Sequence, residues 1–329
     1  MSRRPLHRAT AALTASLMLA GCVTTQTGRI GADDGRDVCR QQLVALDSTG
    51  DFYGEDILTG AAVGALGGAL VGGLASGNWQ GALIGAAVGG ATGAAVGYYT
   101  ALQRQARDQQ AIFAQMSSDL ARENAQLDRT QIAWDQLMDC RLSVAQRVRE
   151  AVKSGRLDRQ TGLAQMAEIR ARVQNDIQVA QRINASIGQR GAQFDTAIEN
   201  TIPGGKNAVV ASYRPPAAAR ATVRRAVAVK FRPDAGSAEI AQINARDVVS
   251  VRPGPAGYAQ VETSSGVRGY VPNDALQGAP RQQAAAPPSG GDVRSLAATN
   301  ISRRDNFSES VSNAERLAQA GGGGFELAS

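Results

Sequence analysis

The chain has 329 residues, of which 43% are hydrophobic but only 4% are aromatic. With so few large side chains, a single deep aromatic-rich core, and with it an ordinary large α/β enzyme, is a poor expectation. The formal net charge is +6, and removal of an N-terminal segment that carries Arg3, Arg4 and Arg8 reduces it to +3. Because this charge is small and forms no dense Lys/Arg cluster, we expect no nucleic-acid partner.

His7 is the only histidine of the sequence, and it falls in the same N-terminal segment. The rest of the chain therefore lacks the side chain most used for acid–base catalysis and for metal binding. The sequence also shows no paired carboxylates, no nucleophile with an adjacent base and no metal-ligand spacing. We expect a non-enzymatic protein without metal or cofactor, apart from a covalent lipid.

The first 21 residues have the layout of a secretory signal peptide. A basic stretch, residues 1–8, precedes an apolar stretch, residues 9–20, that is too short to span a bilayer. The end of this region resembles a bacterial lipobox, formed by Leu19, Ala20, Gly21 and Cys22. The resemblance implies that residues 1–21 are removed and that Cys22 is acylated, although an ordinary leader with an incidental cysteine is the alternative. Several acyl chains on Cys22 would hold the protein on a membrane.

Val23 follows the candidate lipidation site. Lipoproteins retained in the inner membrane commonly carry Asp at this position, so the resemblance implies transfer to the outer membrane. Residues 22–56 are then a lipid-anchored segment that faces the periplasm.

Glycine recurs every fourth residue between Asp56 and Arg104, a window that contains no charged side chain. Two stretches, Ile57–Ala75 and Gly81–Tyr99, flank a polar turn, and each would span roughly 28 Å as a helix. Glycines with this spacing lie on one helix face, where two backbones can pack closely. The sequence thus predicts a transmembrane helical hairpin over residues 57–99. Its packing face comprises Gly60, Gly64, Gly68, Gly72, Gly73, Gly77, Gly81, Gly85, Gly89, Gly93 and Gly97.

Aromatic residues at the ends of both stretches favour the same interpretation, since such rings form belts at membrane interfaces. They are Phe52, Tyr53, Trp79, Tyr98 and Tyr99. The alternatives are an aggregation-prone soluble segment and a flexible linker, and the latter fits poorly with the dense Leu, Ile and Val. The run resembles the glycine-zipper hairpin of SlyB-like and rickettsial surface-antigen lipoproteins of the outer membrane. This resemblance implies homo-oligomers that associate through the glycine faces.

The next hundred residues carry two apolar repeats with steps of three, four or seven residues. Ser154 and Gly155 end the first, and Asp158 is a plausible N-cap for the second. The sequence predicts an antiparallel coiled-coil helical hairpin over residues 100–200, with a second helix that Gly188 and Gly191 weaken before Asn200. The seam comprises Phe113, Met116, Leu120, Leu127, Trp134, Met138, Ala145, Val148 and Val152, followed by Leu163, Met166, Ile169, Val173, Ile177, Ala180 and Ile187.

Cys39 and Cys140 are the remaining cysteines, and an oxidising periplasm favours their pairing. A straight helix from Tyr99 would, however, place Cys140 roughly 60 Å from the membrane. Cys39 would reach that height only through a nearly fully extended segment. Three outcomes therefore stay open: a disulfide within the chain together with a bend in the helix, a disulfide between two molecules, and free thiols.

Residues 201–221 are rich in Pro and Gly and predict a linker. Short alternating runs then predict strands at Val223–Phe231, Glu239–Ile243, Asp247–Val251, Tyr258–Glu262 and Gly269–Val271. Residues 257–261 and 266–271 resemble those of a bacterial SH3-like domain, although residues 229–233 lack the glycine usual in that family. The resemblance implies a small β-barrel over residues 222–277 that binds peptidoglycan stem peptides or other peptides. Tyr258 and Tyr270 are the candidate groove aromatics, and ordinary barrel packing is the alternative for each.

Residues 278–329 are dominated by Ala, Pro, Gln, Gly and Ser and predict a disordered tail, with one weak helix over residues 303–320. The whole chain is thus predicted to be multidomain and mostly α-helical. Our preferred hypothesis is an outer-membrane lipoprotein that presents an SH3-like binding module and contributes to envelope integrity. The alternative is an oligomeric glycine-zipper protein that forms pores or perturbs membranes.

Overall fold

The computed structural model describes residues 25–54, 57, 93–106, 108–212, 217–264, 266–278, 292–319 and 324–327. These parts contain seven α-helices: α1 Gln26–Ile30, α2 Arg40–Gly54, α3 Gly93–Gln105, α4 Gln109–Lys153, α5 Arg159–Thr201, α6 Gly205–Ser212 and α7 Val293–Gln319. They also contain seven strands: β1 Ala219–Val223, β2 Val227–Lys230, β3 Glu239–Ile243, β4 Val248–Pro253, β5 Tyr258–Glu262, β6 Arg268–Pro272 and β7 Leu276–Gln277. Mostly helical architecture is therefore confirmed.

The two longest helices, α4 and α5, are joined by residues 154–158. Asp158 caps α5 as predicted, because its Oδ1 accepts a hydrogen bond from the Thr161 amide at 2.9 Å. Most of the predicted seam is buried between these helices and their neighbours, whereas Leu163 is exposed. The predicted fraying of α5 is wrong, since the helix continues to Thr201 and buries Phe194 and Ile198.

Three further helices pack on this pair, so the two-helix coiled coil is corrected to a bundle. Helices α2 and α7 each contact both α4 and α5, and α3 packs mainly on α5. Helix α2 runs antiparallel to α4, because its start lies at Cys140 and Ile57, just beyond its end, lies at Arg122. Helix α3 continues in the same direction, since the Tyr98 hydroxyl donates to Asp119 at 2.9 Å.

The chain reverses between α3 and α4, where the sequence had indicated an uninterrupted helix. Asp108 begins α4, and its Oδ1 accepts a hydrogen bond from the Ala111 amide at 2.8 Å. Because α3 folds back along α4, Cys140 lies much closer to the glycine-rich segment than a straight helix would place it. Cys39 and Cys140 are bonded to each other, with their Cα atoms 6.0 Å apart. Cys39 lies in a turn directly before α2, so of the three outcomes left open the structure shows the disulfide within the chain together with a reversal of the chain before α4.

A buried ion-pair network surrounds this disulfide. Arg141 binds Asp37 on one side and Asp176 of α5 on the other, the latter at 2.7 Å. Despite a desolvation penalty, the hydrogen bond and charge of Arg141 lower the pKa of Asp37. The network and the disulfide together fix the start of α2 to both long helices.

Residues 293–319 form a long helix, so the predicted disordered tail is wrong for this part of the chain. Helix α7 buries Phe307, Val311 and Leu317 against α4 and α5. Gly191 permits this approach, because a Cβ atom there would lie 1.7 Å from Nη1 of Arg304. The weak helix predicted over residues 303–320 is thus confirmed and begins ten residues earlier, and the groove between α4 and α5 stabilises it.

The predicted linker, residues 201–221, is also corrected. Gly204 and Gly205 adopt positive φ angles, and helix α6 begins directly at this turn. Val209 of α6 is fully buried, and Nζ of Lys206 pairs with Asp195 of α5 at 2.6 Å. Strand β1 then begins at Ala219, earlier than the predicted first strand, which the structure divides into β1 and β2.

The strands form one antiparallel sheet in the order β3-β2-β6-β5-β4-β1-β7. Its buried face contains Val229, Val251, Val261 and Val271. This core is continuous with that of the helical bundle. The sheet therefore packs directly on the helices, instead of standing at a distance from them.

The disulfide generates a prediction about stability. It closes a loop of 101 residues, and the chain-entropy model assigns about 4.7 kcal/mol to a loop of this size. We expect reduction, or replacement of both Cys39 and Cys140 by Ser, to lower the free energy of unfolding by up to this amount, measured by urea denaturation in detergent. Reductant should have no effect on the double variant, and an unchanged midpoint of the reduced parent protein would contradict the bond.

Candidate functional site

The described residues on either side of the glycine-rich segment, Ile57 and Tyr98, lie close together on α4. Nη2 of Arg122 donates to the carbonyl oxygen of Ile57 at 3.4 Å and also pairs with Asp119. Asp119 in turn accepts the hydrogen bond from Tyr98. Ile57 and Tyr98 belong to the same buried cluster, together with Phe194. Residues 58–92 are therefore an insertion between α2 and α3, which follow one another along α4.

Several aromatic residues assigned to membrane interfaces lie within the bundle instead. The Tyr53 hydroxyl and Oγ1 of Thr130 are 3.0 Å apart in a buried hydrogen bond. The ring of Tyr98 packs edge-on against Phe194, with centroids 5.1 Å apart. The interface assignment is thus wrong for Tyr53 and Tyr98, because their rings and hydroxyl groups have protein partners.

Many predicted membrane residues lie outside the described parts of the chain. These include the lipobox with Cys22, the turn residue Trp79, and Gly60, Gly64, Gly68, Gly72, Gly73, Gly77, Gly81, Gly85 and Gly89. Gly93 and Gly97 lie in the first turns of α3. No helix within the described ranges has the length and apolar character needed to cross a membrane.

The second candidate site is a cleft where the sheet meets the helices. Asp139 of α4 anchors one side, because its carboxylate accepts from the Ser237 hydroxyl at 2.7 Å and from Arg232 at 2.8 Å. Asn313 of α7 anchors the other side through both the amide and the carbonyl group of Arg268, at 2.8 and 2.9 Å. Between these anchors lies a cavity of about 320 Å³.

The sheet side of the cleft provides an apolar wall that is interrupted by Arg232, Gln260 and Arg268, and the helices provide a polar wall. The sheet side includes Phe231, Pro233, Pro253, Pro255 and Tyr270. The helix side includes Gln131, Asp135, Asn306, Glu309 and Ser310. Neither part of the molecule forms this site alone.

The two tyrosines predicted for a ligand groove differ in their positions. Tyr270 lies opposite Gln260 and Tyr258 lies opposite Pro272, so both tyrosines occupy the sheet face opposite the sheet core. Tyr270 lines the cleft, whereas Tyr258 is not among its lining residues. Burial and the nearby carboxylate of Asp135 raise the pKa of Tyr270, and its hydrogen bond with Gln260 opposes this shift.

Asp135 differs from the other charged side chains that line the cleft, because each of those forms an ion pair. Arg232 is paired with Asp139, and Arg268 is paired with Glu262 at 2.8 Å and with Glu309. Asp135 accepts a hydrogen bond from Nε2 of Gln131 at 2.8 Å and has no ion-pair partner in the part of the chain that the structure describes. Burial raises the pKa of Asp135 to about 7, since desolvation outweighs the opposing effects of Gln131 and Arg232.

The sequence analysis assigned only the apolar seam residues of α4 to contacts with other parts of the chain and therefore missed Asp135 and Gln131. One local signal was available. Asp135 and Asp139 are four residues apart on α4, a spacing at which like charges destabilise an isolated helix. Such a pair suggests that another part of the molecule compensates it, and Arg232 and the β2–β3 hairpin do so for Asp139.

Comparison with known proteins identifies the glycine-rich segment. Residues 48–101 match the family model described as YMGG-like Gly-zipper, which covers about a sixth of the chain. The chain is therefore a glycine-zipper protein over these residues, which is consistent with a membrane-associated protein. The match begins in α2 and ends in α3, so it contains both helix ends that border the insertion. No curated protein and no solved structure matches the chain.

The described residues contain no group of three or more His, Cys, Asp or Glu side chains that could hold a metal ion.

The raised pKa of Asp135 predicts a pH-dependent stability. The native environment favours the protonated carboxyl group, so its contribution to stability is present near pH 4 and is lost as the pH rises through about 7. Asp135→Asn should therefore gain stability over the parent protein between pH 4 and 8, by at most about 4 kcal/mol. Urea denaturation at several pH values measures this difference. A carboxyl resonance that is absent from the variant and titrates near pH 4 in the parent protein would contradict the shift.

Proposed function

We propose that this chain is a non-enzymatic lipoprotein of the bacterial cell envelope. In this proposal a glycine-zipper hairpin inserts into the outer membrane while the bundle and the sheet face the periplasm. The insertion point at Arg122 is the observation that carries the proposal. Because Ile57 and Tyr98 lie close together on α4, a hairpin formed by the residues between them could cross to another phase without disrupting the bundle.

The length available for the hairpin favours a thin membrane. With Tyr98 in the bundle core, the 35 residues 58–92 supply the insert. The polar turn at residues 76–80 leaves 18 residues before it and 12 after it, which as helices would span about 27 Å and about 18 Å. The second arm would cross a bilayer only together with the first turns of α3, and the bacterial outer membrane, which is thinner than average, suits such short arms best. The two 19-residue spans inferred from sequence are correspondingly shortened.

The lipid anchor at Cys22 would lie on the same flank of the bundle as the glycine hairpin. Helix α1 begins four residues after Cys22, and its Arg29 pairs with Asp47 at 2.8 Å and with Asp51 at 3.0 Å. Asp51 lies six residues before Ile57, which is about 9 Å along a helix. An acylated Cys22 and the glycine hairpin would therefore reach the membrane close to one another, so that each would strengthen the attachment made by the other.

The bundle extends beyond the insertion point in both directions, which argues against an upright stalk. One direction leads to Cys140 and the sheet, and the other leads to the turn between α3 and α4. The end of α3 and the N-cap of α4, which border this turn, carry Gln103, Arg104 and Asp108, and these residues are too polar to enter the hydrocarbon region. We therefore propose that the bundle lies along the membrane surface, with its α2–α3 flank toward the lipid.

The sheet is proposed to be an SH3-like binding module. The β2–β3 hairpin and the short 3₁₀ helix Asn273–Ala275 before β7 support this likeness. The cleft beside Tyr270 would bind a peptide, either from peptidoglycan or from a periplasmic protein. Because the sheet packs on α4 and α7, the helices would contribute to recognition.

The membrane proposal is tested by replacing residues 58–92 with a six-residue Gly/Ser linker. Since both ends of the segment meet at Arg122, the variant should retain its disulfide, helical content and thermal stability. In a background with Cys22→Ala and without residues 1–21, the parent protein should float with liposomes and the linker variant should not. A Gly/Ser replacement of the full 35 residues controls for insert length.

Mass spectrometry of the full-length protein tests the lipid anchor separately from the hairpin. Full-length protein with Cys22→Ala should retain its leader, whereas the parent should carry acyl chains by mass spectrometry. Failure of the Cys22→Ala parent to associate with liposomes would exclude the hairpin as a membrane device. Unfolding of the linker variant would exclude an insertion between two continuous helices.

A further inference from the structure

We propose that the cleft between the sheet and the helices binds a primary ammonium group on an alkyl chain, held by Asp135 and Gln131 of α4. The ligand class is a peptide with a lysine-type side chain. This inference rests on the proposed binding role of the sheet and names the chemistry that the cleft would recognise.

Two neighbouring acceptors of the cleft are incompletely paired among the described residues: Oε1 of Gln131 has no hydrogen-bond donor, and the carboxylate of Asp135 has no cation bound to it. Nε2 of Gln131 donates to Asp135 at 2.8 Å and to the Ser310 hydroxyl at 3.0 Å, which fixes the orientation of the amide. Oε1 of the same amide is buried and has no hydrogen-bond partner in the described structure. A buried acceptor without a partner costs free energy, and so does a half-buried carboxylate without a cation. One ammonium group could satisfy both, because it offers three donors and a positive charge.

The two arginines that line the cleft are paired with carboxylates other than Asp135. Arg232 approaches the cleft but is held by Asp139 at 2.8 Å. Arg268 is held between Glu262 and Glu309. Both pairs also join the sheet to the helices or to a neighbouring strand, so moving either arginine to Asp135 would break a structural contact. Arg232 acts on the charge of Asp135 only from a distance, and a direct ion-pair partner for Asp135 would come from a ligand.

The size of the cavity and the apolar side chains on its sheet side suit a lysine side chain. A cavity of about 320 Å³ is large enough for a lysine side chain with part of its backbone. Phe231, Pro233 and Tyr270 supply apolar surface along which four methylene groups could pack. The ring of Tyr270 lies near Asp135, so it could also face the ammonium group and attract it through its π electrons.

The charge that binds the ligand would come from the helix α4 and not from the sheet. An isolated sheet module would thus retain the apolar wall but lose the selectivity for a cation. This arrangement makes recognition dependent on the docking of the sheet by Asp139 and Asn313.

The test uses the full mature chain with Cys22→Ala in detergent micelles, with fluorescently labelled peptides as probes. The first probe is a capped Ala-Lys-Ala peptide, and the second is the same peptide with an acetylated lysine side chain. We expect the lysine peptide to bind at least tenfold more tightly than the acetylated peptide in fluorescence anisotropy. A muropeptide with a free side-chain amine distinguishes a cell-wall source from a protein source.

Asp135→Asn removes the aspartate that lines the cleft. Asp128→Asn is its matched control, because it removes an aspartate of the same helix outside the cleft. Asp128 pairs with Arg303 of α7. Asp135→Asn should weaken the lysine peptide about tenfold and leave the acetylated peptide unchanged, whereas Asp128→Asn should change neither. Retained thermal stability of Asp135→Asn separates loss of binding from loss of fold.

The pH dependence gives a further readout. The groups around Asp135 are Arg232, Asp139, Tyr270, Arg268 and Glu309, from the sheet and both helices. Binding of the lysine peptide should strengthen between pH 5 and 8, as Asp135 loses its proton. Equal affinity for both peptides, unchanged affinity of Asp135→Asn, or no binding of the lysine peptide at millimolar concentration would each overturn the proposal. None of these outcomes depends on whether the protein floats with liposomes.

Discussion

The junction at Arg122 is the constraint on which the rest of the structure depends. Its guanidinium group contacts the carbonyl oxygen of Ile57 and the carboxylate of Asp119, which binds Tyr98. These contacts place the two ends of the glycine segment side by side on α4. A hairpin can therefore leave the flank of the bundle while α2 and α3 remain packed in their grooves. The matching family model spans the segment together with both helix ends.

The other interactions of the bundle follow from this arrangement. Because α2 and α3 run antiparallel to α4, the start of α2 reaches Cys140, where the disulfide and Arg141 secure it. The surface of α4 near Asp139 is then occupied by the sheet, and α7 covers the groove formed with α5. The cleft at Asp135 arises only where these three parts meet. Membrane attachment and ligand recognition would thus be located on different sides of one continuous core.

Structural elements that follow from a periodic sequence pattern could be predicted well, because such a pattern depends only on local spacing. The helices around Trp134 and Val173, the N-cap at Asp158 and strands β3 and β5 all follow from such patterns. The break before α4 was missed because it contains neither Gly nor Pro, although Asp108 is a favourable N-cap.

Features that depend on distant contacts could not be predicted. Helix α7 is rich in Ser, Asn and Arg, and it is stable because Phe307 and Leu317 meet a groove formed more than a hundred residues earlier. The close approach of Arg304 to Gly191 likewise has no local signature. Asp135 belongs to a site only because Ser237 and Arg232 dock on Asp139, about a hundred residues away in sequence. Composition and periodicity carry no information on such pairings.

The most direct test of the central claim is a distance between spin labels at Ser48 of α2 and Gln103 of α3, measured by pulsed electron paramagnetic resonance in liposomes. Both positions are exposed, and the disulfide leaves no free thiol once Cys22 is replaced by Ala. If α2 and α3 follow one another along α4, about 17 residues of that helix separate the labels. The account then predicts one narrow distribution centred near about 25 Å, the same in detergent and in lipid. A broad distribution beyond about 40 Å, or a shift on insertion into lipid, would show that the glycine segment does not return to the point from which it leaves.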